Sequence, residues 1–168
     1  LSNELGEGGR VLDSFPAIPP GEQYENLLTA VRRALKELPA DFTLVLEPLN
    51  TKLDHPGYFL TDMQSAARAV REVGDRRFKV LCDLYHLGMM GVDLPRTLDE
   101  HIEVIGYFHV ADFPGRHEPG TGSADWPALL SRIRRRGYDG AVGFEYSPEG
   151  DSAASLKRVR RLWEGLQD

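Results

Sequence analysis

One cysteine, Cys82, stands in 168 residues, so no internal disulfide can staple this chain. Its place inside the apolar stretch 78–83 makes packing its expected role, and a lone reduced thiol fits the cytoplasm. Missing too is any apolar run near the roughly 20 residues a bilayer-spanning helix needs, and no leading signal-peptide pattern is seen, so no membrane partner is expected. Basic residues are in deficit. Twenty Lys and Arg against 26 Asp and Glu give a formal charge of −6, which argues against nucleic acid as a partner. No Gly-x-Gly-x-x-Gly follows an apolar run, and Gly115 to Gly120 has the spacing of a phosphate loop but continues as Thr121-Gly122 where Lys-Ser/Thr is required. Nucleotide-binding open sheets lose support accordingly. Linkers and low-complexity stretches are absent as well, and 41% hydrophobic with 27% charged residues describes one ordinary globular domain with a proper core.

What is present is a repetition. Four short β-branched and aromatic runs, Phe42-Thr-Leu-Val-Leu-Glu47, Phe78-Lys-Val-Leu-Cys-Asp83, Tyr107-Phe-His109-Val and Ala141-Val-Gly-Phe-Glu145, each close on an acid or an imidazole. These residues are 36, 26 and 36 positions apart, each interval long enough for a strand, a crossover helix and their loops. Three carboxylates and one imidazole in one pocket would repel and desolvate each other unless a divalent cation sat between them. A single Glu or Asp at a strand end is ordinarily a loop residue or an N-cap. Four in succession point to a metal site on a βα-repeat scaffold.

Helical patterns fill the intervals. Glu22 to Leu38 carries Leu27, Leu28, Val31, Leu35 and Leu38 at helical spacing and stops at Pro39. Thr61-Asp-Met-Gln64 reads as a capping box for a helix through Val73, with Gly74 as its stop. Pro95 begins a helix to about Val104 that Gly106 ends, Asp125 caps one that reaches Arg136-Gly137, and Ser152 caps the last. The basic run Arg132, Arg134, Arg135 and Arg136 is expected to favour a helix dipole. Met89 and Met90 are read as pocket lining or filler. His101 is expected to be solvated or packed, and His55 and His117 to lie in loops.

Strict alternation of strand and helix gives a parallel sheet, and the missing nucleotide signatures favour a (β/α)8 barrel, whose strands all end at one mouth. A full barrel takes roughly 250 residues, so four units are half of one.

The stretches Glu47-Pro-Leu-Asn50-Thr51, His55-Pro-Gly-Tyr-Phe-Leu60, Asp83-Leu-Tyr-His86 and His109-Val-Ala-Asp-Phe-Pro-Gly-Arg116-His-Glu-Pro-Gly-Thr-Gly122, in that order, resemble the hydroxypyruvate isomerase family of xylose-isomerase-like TIM barrels. The resemblance runs from about Asn3-Glu-Leu-Gly6 to Tyr146. It implies that residues 1–168 are the C-terminal half of a single TIM-barrel domain, with strands five to eight here, Leu1-Ser2 as the tail of the fourth, and the N-terminal half missing from this chain. It further implies Glu47 and Glu145 as catalytic, metal-binding glutamates that move protons, Asp83 and His109 as the other metal ligands, and His86, Arg116 and Asn50 as substrate-binding residues. His109 matches the epimerase branch, since some hydroxypyruvate isomerases carry Gln there.

The chemistry agrees. Moving a carbonyl between adjacent carbons requires removal of a C–H proton, stabilisation of an enediolate and return of a proton, which a divalent ion and two carboxylates can supply. Oxygen and imidazole ligands without thiolate suit Mn²⁺ or Mg²⁺, with Co²⁺ or Zn²⁺ as alternatives. The expected substrate is a small sugar or hydroxy acid, and a homo-oligomer is compatible. Three other readings stand beside hydroxypyruvate isomerase. One is a ketose 3-epimerase or inosose-type dehydratase. Another is an apurinic endonuclease-like metal hydrolase, to whose motifs Asp83-x-x-His86 and Arg116-His117-Glu118 are also similar, although Gly115 stands where those enzymes carry a further Asp. The last is a non-catalytic half-barrel module with exposed sheet edges.

Overall fold

Four strands, Leu44–Leu46 (β1), Phe78–Asp83 (β2), Ile105–Val110 (β3) and Val142–Phe144 (β4), pair in parallel in the order of the sequence. This is the computed structural model of the chain, which describes residues 18–166. Between and after the strands lie Pro20–Glu37 (α1), Met63–Val73 (α2), Leu84–Met90 (α3), Leu94–His101 (α4), Trp126–Arg135 (α5) and Ser152–Glu164 (α6). The expected alternation of strand and helix is therefore present. Among the described residues no helix is long and apolar enough to cross a membrane.

The helices cover one face of the sheet because one face is apolar. Phe78, Val80 and Cys82 of β2 and Ile105, Phe108 and Val110 of β3 join one core cluster with Leu28 of α1, Ala66 and Ala67 of α2, Leu98 of α4 and Leu130 of α5. Alanines at 66, 67 and 69, all fully buried, let α2 approach the sheet closely. Arg77 fixes the end of α1: its guanidinium donates to the carbonyls of Leu35 and Leu38, which have no partner inside the helix. Trp126, Tyr85, Phe78 and Phe108 are the bulkiest of the side chains removed from water.

Several helix ends differ from the sequence reading by a residue or two. The cap of α2 is Asp62 rather than Thr61, its carboxylate accepting from Ser65 N at 2.8 Å. Likewise Asp151 rather than Ser152 caps α6, accepting from Ala154 N at 2.8 Å. In both cases a carboxylate stands beside a hydroxyl residue and takes the position, because its charge also complements the positive end of the helix. The helix begun near Pro95 is α helix only to His101 and finishes as a 3-10 turn, Ile102–Val104. Gly106 does not end it; this glycine lies inside β3. The short α3, directly after Asp83, has no counterpart in the periodicity reading, since seven residues are too few to show one. The stretches Leu1-Ser2 and Asn3–Gly6, assigned to a preceding strand and to the start of the resemblance, lie outside the described residues.

Candidate metal and substrate site

Parallel strands deliver their C-terminal ends to one rim, and that rim gathers Glu47, Asp83, His109 and Glu145. One ligand atom from each lies within 4.8 Å of all the others. Asp83 ends β2 and is the register partner of His109 in β3. Glu47 and Glu145 each follow the last residue of an edge strand. Side-chain exposure rises from 1% at Asp83 through 19% at His109 and 29% at Glu47 to 54% at Glu145, so the cluster is closed at its centre and opens toward the sheet edges. His109 Nδ1 stands 3.4 Å from Glu145 Oε2, 3.8 Å from Glu47 Oε1 and 3.9 Å from Asp83 Oδ2.

Two atoms of this cluster, Glu47 Oε1 and His109 Nδ1, are buried and have no hydrogen-bond partner. Native interiors seldom leave such groups unpaired. Oxygens and an imidazole nitrogen arranged this way fit a divalent cation, and among the described residues this is the one group of its kind. Crowding of carboxylates shows in their proton affinities as well. Burial first, then the neighbouring Asp83 and Glu145 carboxylates, lift Glu47 to about 7. Burial also raises Asp83, against the opposing pull of Arg116 and of two backbone N–H groups.

Those N–H groups belong to α3. Asp83 is at once its N-cap and a member of the cluster: Oδ1 accepts from Tyr85 N at 2.8 Å and His86 N at 3.3 Å, while Oδ2 faces His109 and Arg116. The cap orients α3 so that His86 returns to the rim, its Nε2 3.7 Å from Asp83 Oδ2. Burial above all, with help from the Arg116 charge, pulls His86 down to about 4, so it is neutral at ordinary pH.

Arg116 reaches the same point from the loop after β3. Its guanidinium donates to Asp83 Oδ2 at 3.3 Å and to Glu145, and it lies over the Tyr85 ring at 4.8 Å. The loop that presents it is held by two buried acids, Asp112 and Glu118, neither of which was expected as a scaffold. Asp112 accepts from the N–H groups of Phe113 at 2.9 Å and Gly120 at 2.7 Å, and a Cβ on Gly122 would meet its Oδ1 at 2.5 Å. Glu118 accepts from Glu149 N at 3.0 Å and pairs with Arg158. Arg116 itself has φ +56°, a left-handed backbone that a long side chain seldom adopts and that this loop imposes. The glycine-dense stretch 115–122 was the available signal for a shaped loop.

Asn50 is wholly buried behind His86, its amide engaged with His86 and Asp54. His55 lies beside the site, its ring 5.4 Å from that of His86. His117 turns away to the carbonyl of Ser147 at 2.7 Å, and His101 is buried at the far end of α4. In the basic run, Arg132 and Arg136 both pair with Asp99, and Arg134 lies over Trp163. Met90 reaches Lys52 through its carbonyl. A cavity of about 500 Å³ lies between α3, α4 and α5, but none of the four cluster residues lines it; another of about 470 Å³ beside β1 does include Glu47.

The model of a family described as xylose isomerase-like TIM barrel matches residues 2–162. Hydroxypyruvate isomerase of Escherichia coli K12 is 36% identical over 133 residues, 79% of this chain and 50% of that protein. The 2-oxo-tetronate isomerase of Cupriavidus necator is 36% identical over 132 residues, 79% of this chain and 49% of that protein. Among solved structures, an AP endonuclease of family 2 from Brucella melitensis superposes with a TM-score of 0.82 at 30% identity, covering 90% of this chain and 59% of that one. The chain spans about half the length of the curated relatives it matches.

Proposed function

This chain belongs to the xylose isomerase-like TIM barrel family, and from that premise we propose that it carries the catalytic rim of a metal-assisted isomerase. The reaction is the shift of a carbonyl between adjacent carbons of a small hydroxy-carbonyl acid, with hydroxypyruvate as the substrate. The observation that carries the proposal is the convergence of Glu47, Asp83, His109 and Glu145 within 4.8 Å, with two of their buried atoms unpartnered. Residues 1–168 form in this reading the C-terminal half of one barrel domain, strands five to eight, and the rest of the barrel supplies the opposite pocket wall. Its setting is the cytoplasm, where Cys82 stays reduced.

Glu47, Asp83, His109 and Glu145 would hold the ion, and their hard donors favour Mn²⁺ or Mg²⁺. When bound, a divalent cation polarises the oxygens on the two reacting carbons as a Lewis acid, an effect of several kcal/mol. Glu47, partly buried at the rim with Oε1 unpartnered, is placed to take a proton from one carbon. Glu145, at the other edge of the sheet, addresses the opposite side of the substrate. Arg116 grips the substrate carboxylate through its planar guanidinium. His86 faces a substrate oxygen from the floor of the rim.

A hydrolase of the endonuclease kind is the weaker reading. Its arginine-histidine-acid block would have to reach metal, whereas His117 here bonds the Ser147 carbonyl and Glu118 is buried against Arg158. The test is incubation of the complete barrel with Mn²⁺ and hydroxypyruvate in D₂O, followed by NMR. Deuterium is expected in tartronate semialdehyde and in recovered substrate. No conversion of hydroxypyruvate or 2-oxo-tetronate, together with cleavage of abasic DNA, would overturn the isomerase in favour of the hydrolase.

A further inference from the structure

Asn50 is buried and charge-free, yet each polar atom of its amide has a partner, and together those partners determine which way the amide points. Its Oδ1 accepts from the backbone N–H groups of Leu53 and Asp54, each at 3.2 Å. Rotating the amide by half a turn would aim its NH₂ at two other donors and its oxygen at a carboxylate. The orientation is therefore fixed by the partners on either side of the amide. Nδ2 then offers one hydrogen to Asp54 Oδ2 at 2.7 Å and the other to His86 Nδ1 at 2.7 Å. The backbone N–H of Asn50 points at the same His86 nitrogen from 3.3 Å.

An imidazole nitrogen facing two donors and no acceptor has to be the lone-pair nitrogen. The ring proton then sits on Nε2, the edge turned toward the rim, 3.7 Å from Asp83 Oδ2. We infer that Asn50 is a positioning residue that locks His86 in the Nε2–H tautomer, making His86 a hydrogen-bond donor in this site and not a proton acceptor. The inference rests on the reading above only in placing a substrate oxygen opposite that edge.

The same turn positions the other donor. Asp54 Oδ2, which takes the Asn50 hydrogen, also accepts from the Tyr85 hydroxyl at 2.8 Å, and the Tyr85 ring is the platform beneath Arg116. Residues 50–54 thus fix two groups that face substrate oxygens, one through its tautomer and one through a ring face. This divides the labour: protons on carbon fall to the glutamates, while His86 and Arg116 can only donate to oxygen. A His86 carrying its proton on Nδ1 would compete with Glu47 as a base.

Long-range ¹H–¹⁵N NMR on the complete barrel, loaded with Mg²⁺, reads the tautomer directly and independently of turnover. A pure Nε2–H signature at His86 is expected; an Nδ1–H or mixed ring in the wild type overturns the inference whatever the activity proves to be. Asn50→Ala should give a mixed tautomer and lower kcat by roughly 10- to 100-fold, the range for losing a residue behind a functional one, with Mg²⁺ affinity unchanged. An unchanged single tautomer in that variant would remove Asn50 as the lock. His86→Gln, which keeps an amide N–H near the Nε2 position, should retain far more activity than His86→Ala. Equal loss in the two would mean that His86 does more than donate. If the tautomer is as stated but no substrate turns over, the isomerase reading fails and this inference stands.

Discussion

Asp83 and His109 stand opposite each other across β2 and β3, and they do so because β3 carries one residue too many. Val80 pairs with Ile105, but Leu81 pairs with Tyr107, leaving Gly106 bulged between them. Before the bulge Ile105 faces the helices; after it Phe108 and Val110 do, which turns Tyr107 and His109 to the other face. Without the bulge, alternation would put His109 into the hydrophobic core. Only glycine fits there, since a Cβ on Gly106 would come within 2.6 Å of the Lys79 Cβ, and the Tyr138 hydroxyl donates to the Gly106 carbonyl at 3.2 Å.

Gly106→Ala should accordingly cost about 1–3 kcal/mol, as overpacking does, and weaken divalent-ion binding by moving His109. Urea denaturation and Mn²⁺ titration read the two effects. A variant as stable as wild type, with unaltered Mn²⁺ affinity, would show that the register does not depend on this residue.

The four rim residues are legible because each closes a β-branched or aromatic run or, for His109, stands one place before its end, a pattern that survives without knowledge of tertiary contacts. Gly106 was misread as a helix stop for the converse reason: its role is defined by Lys79, on another strand, and a one-residue slip leaves no trace in hydrophobic periodicity. His86 could be placed near Asp83 from spacing alone, but its proton could not, since that depends on Asn50, 36 residues earlier. The scaffolding roles of Asp112 and Glu118 are not legible, because buried acids that satisfy backbone N–H groups look, in sequence, like any loop carboxylate.

The double duty of Asp83 can be separated. Asp83→Asn keeps an oxygen to accept from Tyr85 and His86 while removing the charge, so α3 should remain capped while divalent-ion affinity falls by more than the roughly 10- to 100-fold typical of residues behind a ligand. Asp83→Ala should lose that affinity and also about 1 kcal/mol of stability with the cap. Calorimetry with Mn²⁺ and thermal melts decide it; equal Mn²⁺ affinity in Asp83→Asn and wild type would take Asp83 out of the ligand set.

Far from the rim, Asp99 joins α4 to α5 by accepting from Arg132 at 2.7 Å and Arg136 at 2.6 Å. Hydrogen bonds from these two guanidiniums hold its carboxyl well below the usual carboxylate range. A carboxylate depressed in the folded state stabilises above its unfolded pKa, near 4, and that contribution drains away as pH falls further. Asp99→Asn should therefore melt below wild type at pH 7, with the gap narrowing as pH drops beneath about 4. A gap that stays constant with pH would mean that the charge on Asp99 contributes nothing.

Glu47 and Glu145 follow the two edge strands of the sheet, so the pair brackets whatever lies over Asp83 and His109. In the proposed isomerase they are the two groups able to accept a proton from carbon, since Arg116 only donates and His86 is neutral with its free edge protonated. Glu47 is partly buried with Oε1 unpartnered and free to accept, whereas Glu145 is half exposed and paired with Arg116. The two substitutions should then differ in kind. Glu47→Gln should cut deuterium exchange from D₂O into hydroxypyruvate by about 10²–10⁴-fold, the usual contribution of a positioned base. Glu145→Gln should slow return of the proton to the neighbouring carbon, lowering conversion more than exchange at the first carbon. Manganese content has to be matched in the same samples, because both residues are also proposed ligands. If Glu47→Gln, fully loaded with Mn²⁺, exchanges at the wild-type rate, Glu47 is not the base, and the isomerase mechanism loses the residue on which its first step depends.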